Sequence, residues 1–181
     1  MPRILSLIGY RGTGKSTVGM RLARRLKWDW TDTDNEIERR DGRTIKSIFA
    51  TDGEPEFRRL EREVIVDLLR RDKLVLSTGG GAILNADTRR DLRAAGPVLW
   101  LVASVETIAS RILHDASTTS RRPKLTARGG VAEIRELLAQ REPLYRECAT
   151  IVVDTEGLSL GEVVKKVLAQ LPDDLLREDR A

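Results

Sequence analysis

The sequence predicts a three-layer α/β fold, a parallel sheet with helices on both faces, and three observations carry that expectation. Short apolar, β-branched runs recur along the chain, segments of helical apolar spacing separate them, and the first run leads into a glycine-rich turn that opens a helix. Strands that alternate with helices return to one sheet by parallel crossovers. Such a sheet buries strands that are apolar on both sides only if helices cover both faces. Its ligands are expected at the carboxyl ends of the strands.

The strands are expected at Ile4 to Ile8, Leu74 to Leu76, Val98 to Val102 and Ile151 to Val153, with a weaker one at Trp28 to Thr31. Helical spacing runs through Ser16 to Leu26, Asp34 to Arg40, Glu54 to Arg71, Asp87 to Ala95, Val105 to Leu113, Val131 to Tyr145 and Leu160 to Leu171. Two stretches depart from simple alternation. Between the weak strand and Leu74 lie several helical pieces, enough for a small helical subdomain. His114 to Gly130 is polar and lacks apolar periodicity, as an exposed loop would. Residues 172–181 read as a polar tail.

A chain of 181 residues has the length of one domain, and 40% hydrophobic with 33% charged residues fills a core under a polar surface, which excludes disorder throughout. No apolar run approaches the ~18 residues of a membrane-crossing helix, and Met1-Pro2-Arg3-Ile4 leads straight into a strand, so a cytoplasmic location is expected. Cys148 is the one cysteine, which rules out an internal disulfide and a multi-cysteine zinc site and suits core filling. Net charge is +4, from 32 basic and 28 acidic residues; it suits anionic ligands without demanding nucleic acid. The clusters Arg24-Arg25-Lys27 and Arg89-Arg90-Arg93 fit solvated faces, and with 4% aromatic residues no stacking array for bases is present. Small molecules, not nucleic acid or membrane, are the expected partners, and a monomer is expected. His114, the sole histidine, is expected to have a surface role.

Gly9-Tyr10-Arg11-Gly12-Thr13-Gly14-Lys15-Ser16 matches GxxxxGK[ST] between a strand and a helix. Its glycines let successive backbone N–H groups turn toward phosphate oxygens, and the helix that follows adds the positive end of its dipole. Lys15 is expected to reach the β- and γ-phosphates, and Ser16 to supply a hydroxyl to Mg²⁺. ATP fits better than GTP, because no NKxD-type segment follows.

Enzymes with this loop usually carry an acid at the end of a neighbouring strand, on the metal side. Here Leu74 to Leu76 runs into Ser77-Thr78-Gly79-Gly80-Gly81. The nearest substitute is Asp32-Thr33-Asp34, where an extended chain would aim both carboxylates to one side. Asp32 is expected in the outer shell of the metal and Asp34 at the acceptor hydroxyl, as hydrogen-bond acceptor and general base. The plainer alternative for Asp34 is a helix cap. The triplet Gly79-Gly80-Gly81 points to a close backbone approach, to a ligand or in a tight turn. Phe49 and Phe57 fit a wall of the acceptor site or ordinary core.

Taken together, the glycine-rich loop, Asp32-x-Asp34, Phe57-Arg58-Arg59-Leu60-Glu61, Thr78-Gly79-Gly80-Gly81, Arg122-Pro123 and Arg141-Glu142-Pro143-Leu144-Tyr145 resemble the shikimate kinase family over nearly the whole chain. The resemblance implies a nucleoside monophosphate kinase-like P-loop fold, with strand order 2-3-1-4-5, a shikimate-binding helical subdomain at 33–61 and a lid at about 113–128. It also implies transfer of the γ-phosphate of ATP to the 3-hydroxyl of shikimate, with Mg²⁺, on the way to chorismate and the aromatic amino acids.

Residue by residue, Gly12, Thr13, Gly14, Lys15, Ser16 and Thr17 resemble the ATP phosphate site. Asp34, Arg58, Arg141 and the glycines Gly79, Gly80 and Gly81 resemble the shikimate contacts. Arg122 resembles a lid arginine that meets the phosphates, and Arg111 an arginine near the adenine. Two guanidinium groups, Arg58 and Arg141, suit a carboxylate better than lysines would, because their planar forks bond it directionally. The chain departs from many relatives at Lys124, where an apolar residue is usual, and at Asp154-Thr155-Glu156-Gly157, which lacks a basic residue. The alternatives are another small-molecule kinase, for gluconate or a nucleoside monophosphate, and a non-enzymatic, nucleotide-regulated binding module.

Overall fold

A computed structural model describes residues 3–114 and 130–176. The loop expected at 113–128, with Arg122 and Lys124, lies outside the described residues from 115 onward. Five parallel strands form one sheet: β1 (Ile4–Ile8), β2 (Asp29–Asp32), β3 (Leu74–Ser77), β4 (Val98–Val102) and β5 (Ile151–Asp154), in the order β2-β3-β1-β4-β5. This is the order the resemblance implied.

Strand β1 is central and buried along its whole length. Its side chains alternate between two cores, as a pleated strand requires. Ile4 and Ile8 join Leu74, Leu76, Val98 and Trp100 on one face, while Leu5 and Leu7 join Val75, Leu99, Leu101 and Val153 on the other. Burying each such aliphatic side chain contributes about 1.5–3 kcal/mol, so β1 stabilises both cores at once.

Helix α1 (Lys15–Leu26) ends where Lys27 turns left-handed at φ 57°, and it packs Val18, Leu22 and Ala23 into the second core beside α8 (Leu160–Leu168). The crossover from β2 to β3 holds three helices on the first core: α2 (Thr33–Asp41), α3 (Ile45–Thr51) and α4 (Gly53–Leu68). Thr44 separates α3 from α2 by accepting the Ser47 amide at 3.2 Å, a cap that divides the stretch into distinct helical pieces. Beyond β3, a 3₁₀ turn (Ala82–Leu84) precedes α5 (Ala86–Ala95). Helix α6 (Val105–His114) follows β4, and α7 (Gly130–Cys148) continues through Pro143, past the expected end at Tyr145. Residues expected in the polar tail form α9 (Asp173–Leu176), because Leu175 finds a buried place. Cys148 is buried in the first core, and burial pushes its thiol up to about 11. His114 is exposed and bonds the Ser110 carbonyl at 2.7 Å. Among the described residues no helix is long and apolar enough to cross a membrane.

Candidate active site

The carboxyl ends of β1, β2 and β3 bring together most of the polar residues singled out from the sequence. After Ile8 the chain needs positive φ at Gly9, Gly12 and Gly14 to curl into helix α1. A Cβ on Gly12 would stand 3.1 Å from Ile112, whereas Gly14, at φ 92°, faces open space. Gly14 is also the N-cap of α1 and brings no side-chain acceptor, so the first N–H groups of the helix have no capping side chain. An anion is the natural partner for that arrangement. Thr13 closes the loop by donating its hydroxyl to the Tyr10 carbonyl at 2.8 Å, and the Lys15 ammonium donates to the Gly9 and Tyr10 carbonyls, both at 2.8 Å. Arg111 reaches the Gly12 carbonyl from α6 at 3.4 Å. Thr17, one residue beyond Ser16, is exposed.

Asp32 stands opposite Ser77 in the register of β2 and β3, so the acid absent from the end of β3 lies one strand over. Its Oδ2 accepts the Ser16 hydroxyl at 2.7 Å and its Oδ1 accepts the Asp34 amide at 2.9 Å. The cap of α2 is therefore Asp32, not Asp34 as the plainer alternative had it. The expected alternation of the two carboxylates fails for the same reason: the chain turns helical at Thr33. The two acids are nevertheless close enough to interact. Burial, and then the charge of Asp34, push the Asp32 carboxyl above its ordinary range, against hydrogen bonds from Ser16 and the Asp34 amide.

The glycine triplet joins the parts of the site. Gly79 donates its amide to the buried Thr33 hydroxyl at 2.9 Å, which ties it to the residue beside Asp34. A Cβ on Gly80 would stand 3.3 Å from both the Arg11 nitrogen and the Gly9 carbonyl, so the close approach expected here is to the phosphate loop's own backbone. The Gly80 carbonyl accepts the Tyr145 hydroxyl at 2.5 Å and an Arg141 N–H at 3.3 Å. A Cβ on Gly81 would collide with the Arg58 guanidinium, whose Nη1 lies 2.6 Å from that position. Arg58 is itself held by Glu61 at 2.6 Å and Glu54 at 3.0 Å and lies over Phe57. Phe57 is buried core, with Phe49 packed on it at 4.8 Å between ring centroids.

Arg58 and Arg141 thus stand on adjacent residues of one loop, with Asp34 tied in through Thr33 and the phosphate loop packed beneath. Thr33, Glu61 and Tyr145 lie inside the motifs read from the sequence, which gave none of them a role. Tyr145 follows Arg141 by one helical turn, a spacing that puts both on one face of α7; Glu61 and Arg58 are related in the same way on α4.

A family model described as shikimate kinase matches residues 11–172. The chain belongs to the shikimate kinase family. It is 43% identical over 171 residues to the shikimate kinase of Pseudomonas savastanoi pv. phaseolicola, covering 94% of this chain and 97% of that one. The structure of shikimate kinase from Acinetobacter baumannii in complex with shikimate superimposes with a TM-score of 0.86 at 38% identity, over 93% of this chain and 92% of that one. A gluconokinase from Sinorhizobium meliloti, 21% identical with a TM-score of 0.58 over 93% of this chain and 90% of that one, shares the fold alone. As a member of the shikimate kinase family, the chain is an ATP-dependent kinase.

Proposed function

We propose that this chain transfers the γ-phosphoryl group of ATP to the 3-hydroxyl of shikimate, giving shikimate 3-phosphate and ADP on the route to chorismate. The observation that supports the acceptor most directly is Arg141. Its side chain is 6% exposed, yet among the described residues no carboxylate stands within ion-pair distance of it. A buried cation without an acid costs several kcal/mol, and an acceptor that brings its own carboxylate offsets that cost. The bound shikimate of the Acinetobacter baumannii relative supports the same acceptor.

In this reading the amides of Gly12 to Thr17 and the dipole of α1 receive the phosphates, Lys15 bridges the β- and γ-phosphates, and Arg111 and Arg122 complete the nucleotide side. Ser16 and Asp32 would hold Mg²⁺. Their hydroxyl and carboxylate are hard oxygen donors 2.7 Å apart, and a second acid, Asp34, adds negative charge close by. One protein hydroxyl, from Ser16, with Asp32 in the outer shell, would suit an ion that keeps waters and phosphate oxygens as its other ligands. When bound, it offsets the phosphate charge.

Arg58 and Arg141 grip the carboxylate of the acceptor, the backbone of Gly79 to Gly81 borders its ring, and Asp34 takes the proton of the attacking hydroxyl. Catalysis is then chiefly positioning of that hydroxyl in line with the γ-phosphorus, with electrostatic stabilisation of the transferring group. Residues 33–61 serve as the acceptor-binding subdomain and 113–128 as a lid that excludes water. The chain acts as a cytoplasmic monomer.

A coupled assay for ADP with shikimate, gluconate and nucleoside monophosphates in turn tests the proposal. Turnover should depend on shikimate, stop with a chelator and return with added Mg²⁺. Response to a different acceptor, or none to any, replaces the reading with one of its alternatives. Arg58→Ala should raise the shikimate KM far more than the ATP KM; equal rises would remove Arg58 from the carboxylate.

A further inference from the structure

Tyr10 and Arg11 occupy variable positions of the GxxxxGK[ST] motif, and the chemistry above gives neither side chain a role. The Tyr10 ring is 1% exposed and packs with Ile108, Ile134 and Leu137 between the phosphate loop and helices α6 and α7. Two guanidinium groups lie over it, that of Arg141 at 5.8 Å from the ring centroid and that of Arg11 at 5.9 Å. Their circumstances differ. Arg11 is paired at 3.2 Å with Glu133, a buried carboxylate on the first turn of α7, whereas Arg141 has the Gly80 carbonyl and the ring but no acid among the described residues.

We propose that Tyr10 is a positioning residue for Arg141: its ring holds the buried guanidinium by cation–π attraction and leaves the N–H fork open for the acceptor's carboxylate. This rests on the acceptor reading given above. A guanidinium carries five N–H donors. A protein carboxylate would also hold Arg141 in place, as Glu54 and Glu61 hold Arg58, but it would take up donors of that fork and add negative charge beside the incoming acid; with Arg58 already so paired, Arg141 is the guanidinium whose fork stays open. A ring face attracts the cation without consuming a donor, and the attraction is strongest where water is excluded. The Arg11–Glu133 pair fits the same logic, since the second cation on the ring is neutralised by an acid of its own. The hydroxyl of Tyr10 is buried with no partner in hydrogen-bonding geometry among the described residues, so the ring face is what the side chain offers Arg141.

The test compares the full-length enzyme with Tyr10→Phe and Tyr10→Leu, measuring kcat and the KM for shikimate and for ATP. Tyr10→Leu should raise the shikimate KM about tenfold, with the ATP KM changed by less than about twofold, and Tyr10→Phe should restore the shikimate KM to within about twofold of the starting value. Shikimamide, whose carboxylate is a neutral amide, should be a poor acceptor to the same degree for the parent and for Tyr10→Leu. If Tyr10→Leu folds badly, fluorinated phenylalanines placed at position 10 keep the shape and weaken only the ring's negative face; the shikimate KM should climb with each fluorine. A flat fluorine series, an unchanged KM in Tyr10→Leu, equal rises for both substrates, or an equal penalty with shikimamide would overturn the inference while leaving the shikimate reading intact. A parent enzyme inactive on shikimate would overturn both.

Discussion

Asp32 and Asp34 are two residues apart in sequence and carry different duties, and their surroundings say why. Asp32 commits one oxygen to the cap of α2 and the other to Ser16. Its carboxyl is raised first by burial and then by Asp34. Holding that group ionised at neutral pH therefore works against folding whenever no cation is bound. Asparagine caps helices as well as aspartate does and carries no charge. Asp32→Asn should raise the Tm of the ligand-free protein at pH 7. Because the folded carboxyl binds its proton more tightly than the unfolded one, the gain is full above the raised value and disappears as pH falls through it to the ordinary range near 4. Melting curves at pH 7 and pH 4 without nucleotide or metal check this, and a lower Tm at pH 7 would contradict it. The same variant should weaken binding of the magnesium nucleotide. Asp34→Asn should behave differently, lowering kcat by on the order of a hundredfold or more with ATP affinity nearly unchanged, the loss expected of a general base. Unchanged turnover would reduce Asp34 to orienting the hydroxyl or less.

At the scale of the elements, Gly19 shows packing overruling propensity. Alanine is favoured over glycine in a helix interior by about 1 kcal/mol. On α1, however, a Cβ at Gly19 would stand 2.7 Å from both the Ser77 hydroxyl and the Trp30 indole nitrogen, which are bonded to each other at 3.1 Å. Overpacking of that kind costs about 1–3 kcal/mol, so the collision wins. Gly19→Ala should lower the Tm by a few degrees. Because Ser77 also donates to the Lys15 carbonyl at 3.2 Å, it should raise the ATP KM; a melting point at or above that of the parent would refute the packing argument. Nothing local marks this glycine, and the limit is general. Strands β1, β3 and β4 are legible in the sequence because burial on both faces leaves uninterrupted apolar runs, and the phosphate loop is legible because its glycines and lysine keep a fixed spacing. Contacts that cross the sheet leave no such trace. Thr33 meets Gly79, Tyr145 meets Gly80, and Glu133 meets Arg11 only after β2, β3 and α7 are assembled. The alternation assumed for Asp32 and Asp34 fails at a change of period, from strand to helix at Thr33, that the cap itself creates.

The whole molecule divides its duties between the two edges of the sheet. With every strand parallel, the carboxyl ends gather on one edge, where Asp32, the glycine triplet and the phosphate loop meet. The amino ends gather on the other, where Arg3, just before β1, grips Asp72, just before β3, through its amide at 2.8 Å and its guanidinium at 2.6 Å. The Arg3 side chain and amide hold the Asp72 carboxyl far below its ordinary range. Changes on the first edge are expected to appear in kinetics, and changes on the second in stability alone. Asp72→Asn should lower the Tm at pH 7 and leave kcat and both KM values unaltered. A depressed carboxyl stabilises the fold above the unfolded value, near 4, and progressively less as pH falls from there toward the folded one. The gap in Tm between parent and variant should accordingly be constant from pH 7 to about 5 and shrink below that. A gap that does not narrow between pH 5 and pH 2 would mean that the loss comes from packing and not from the charge, and altered kinetics would mean that the two edges are coupled through β1 and β3.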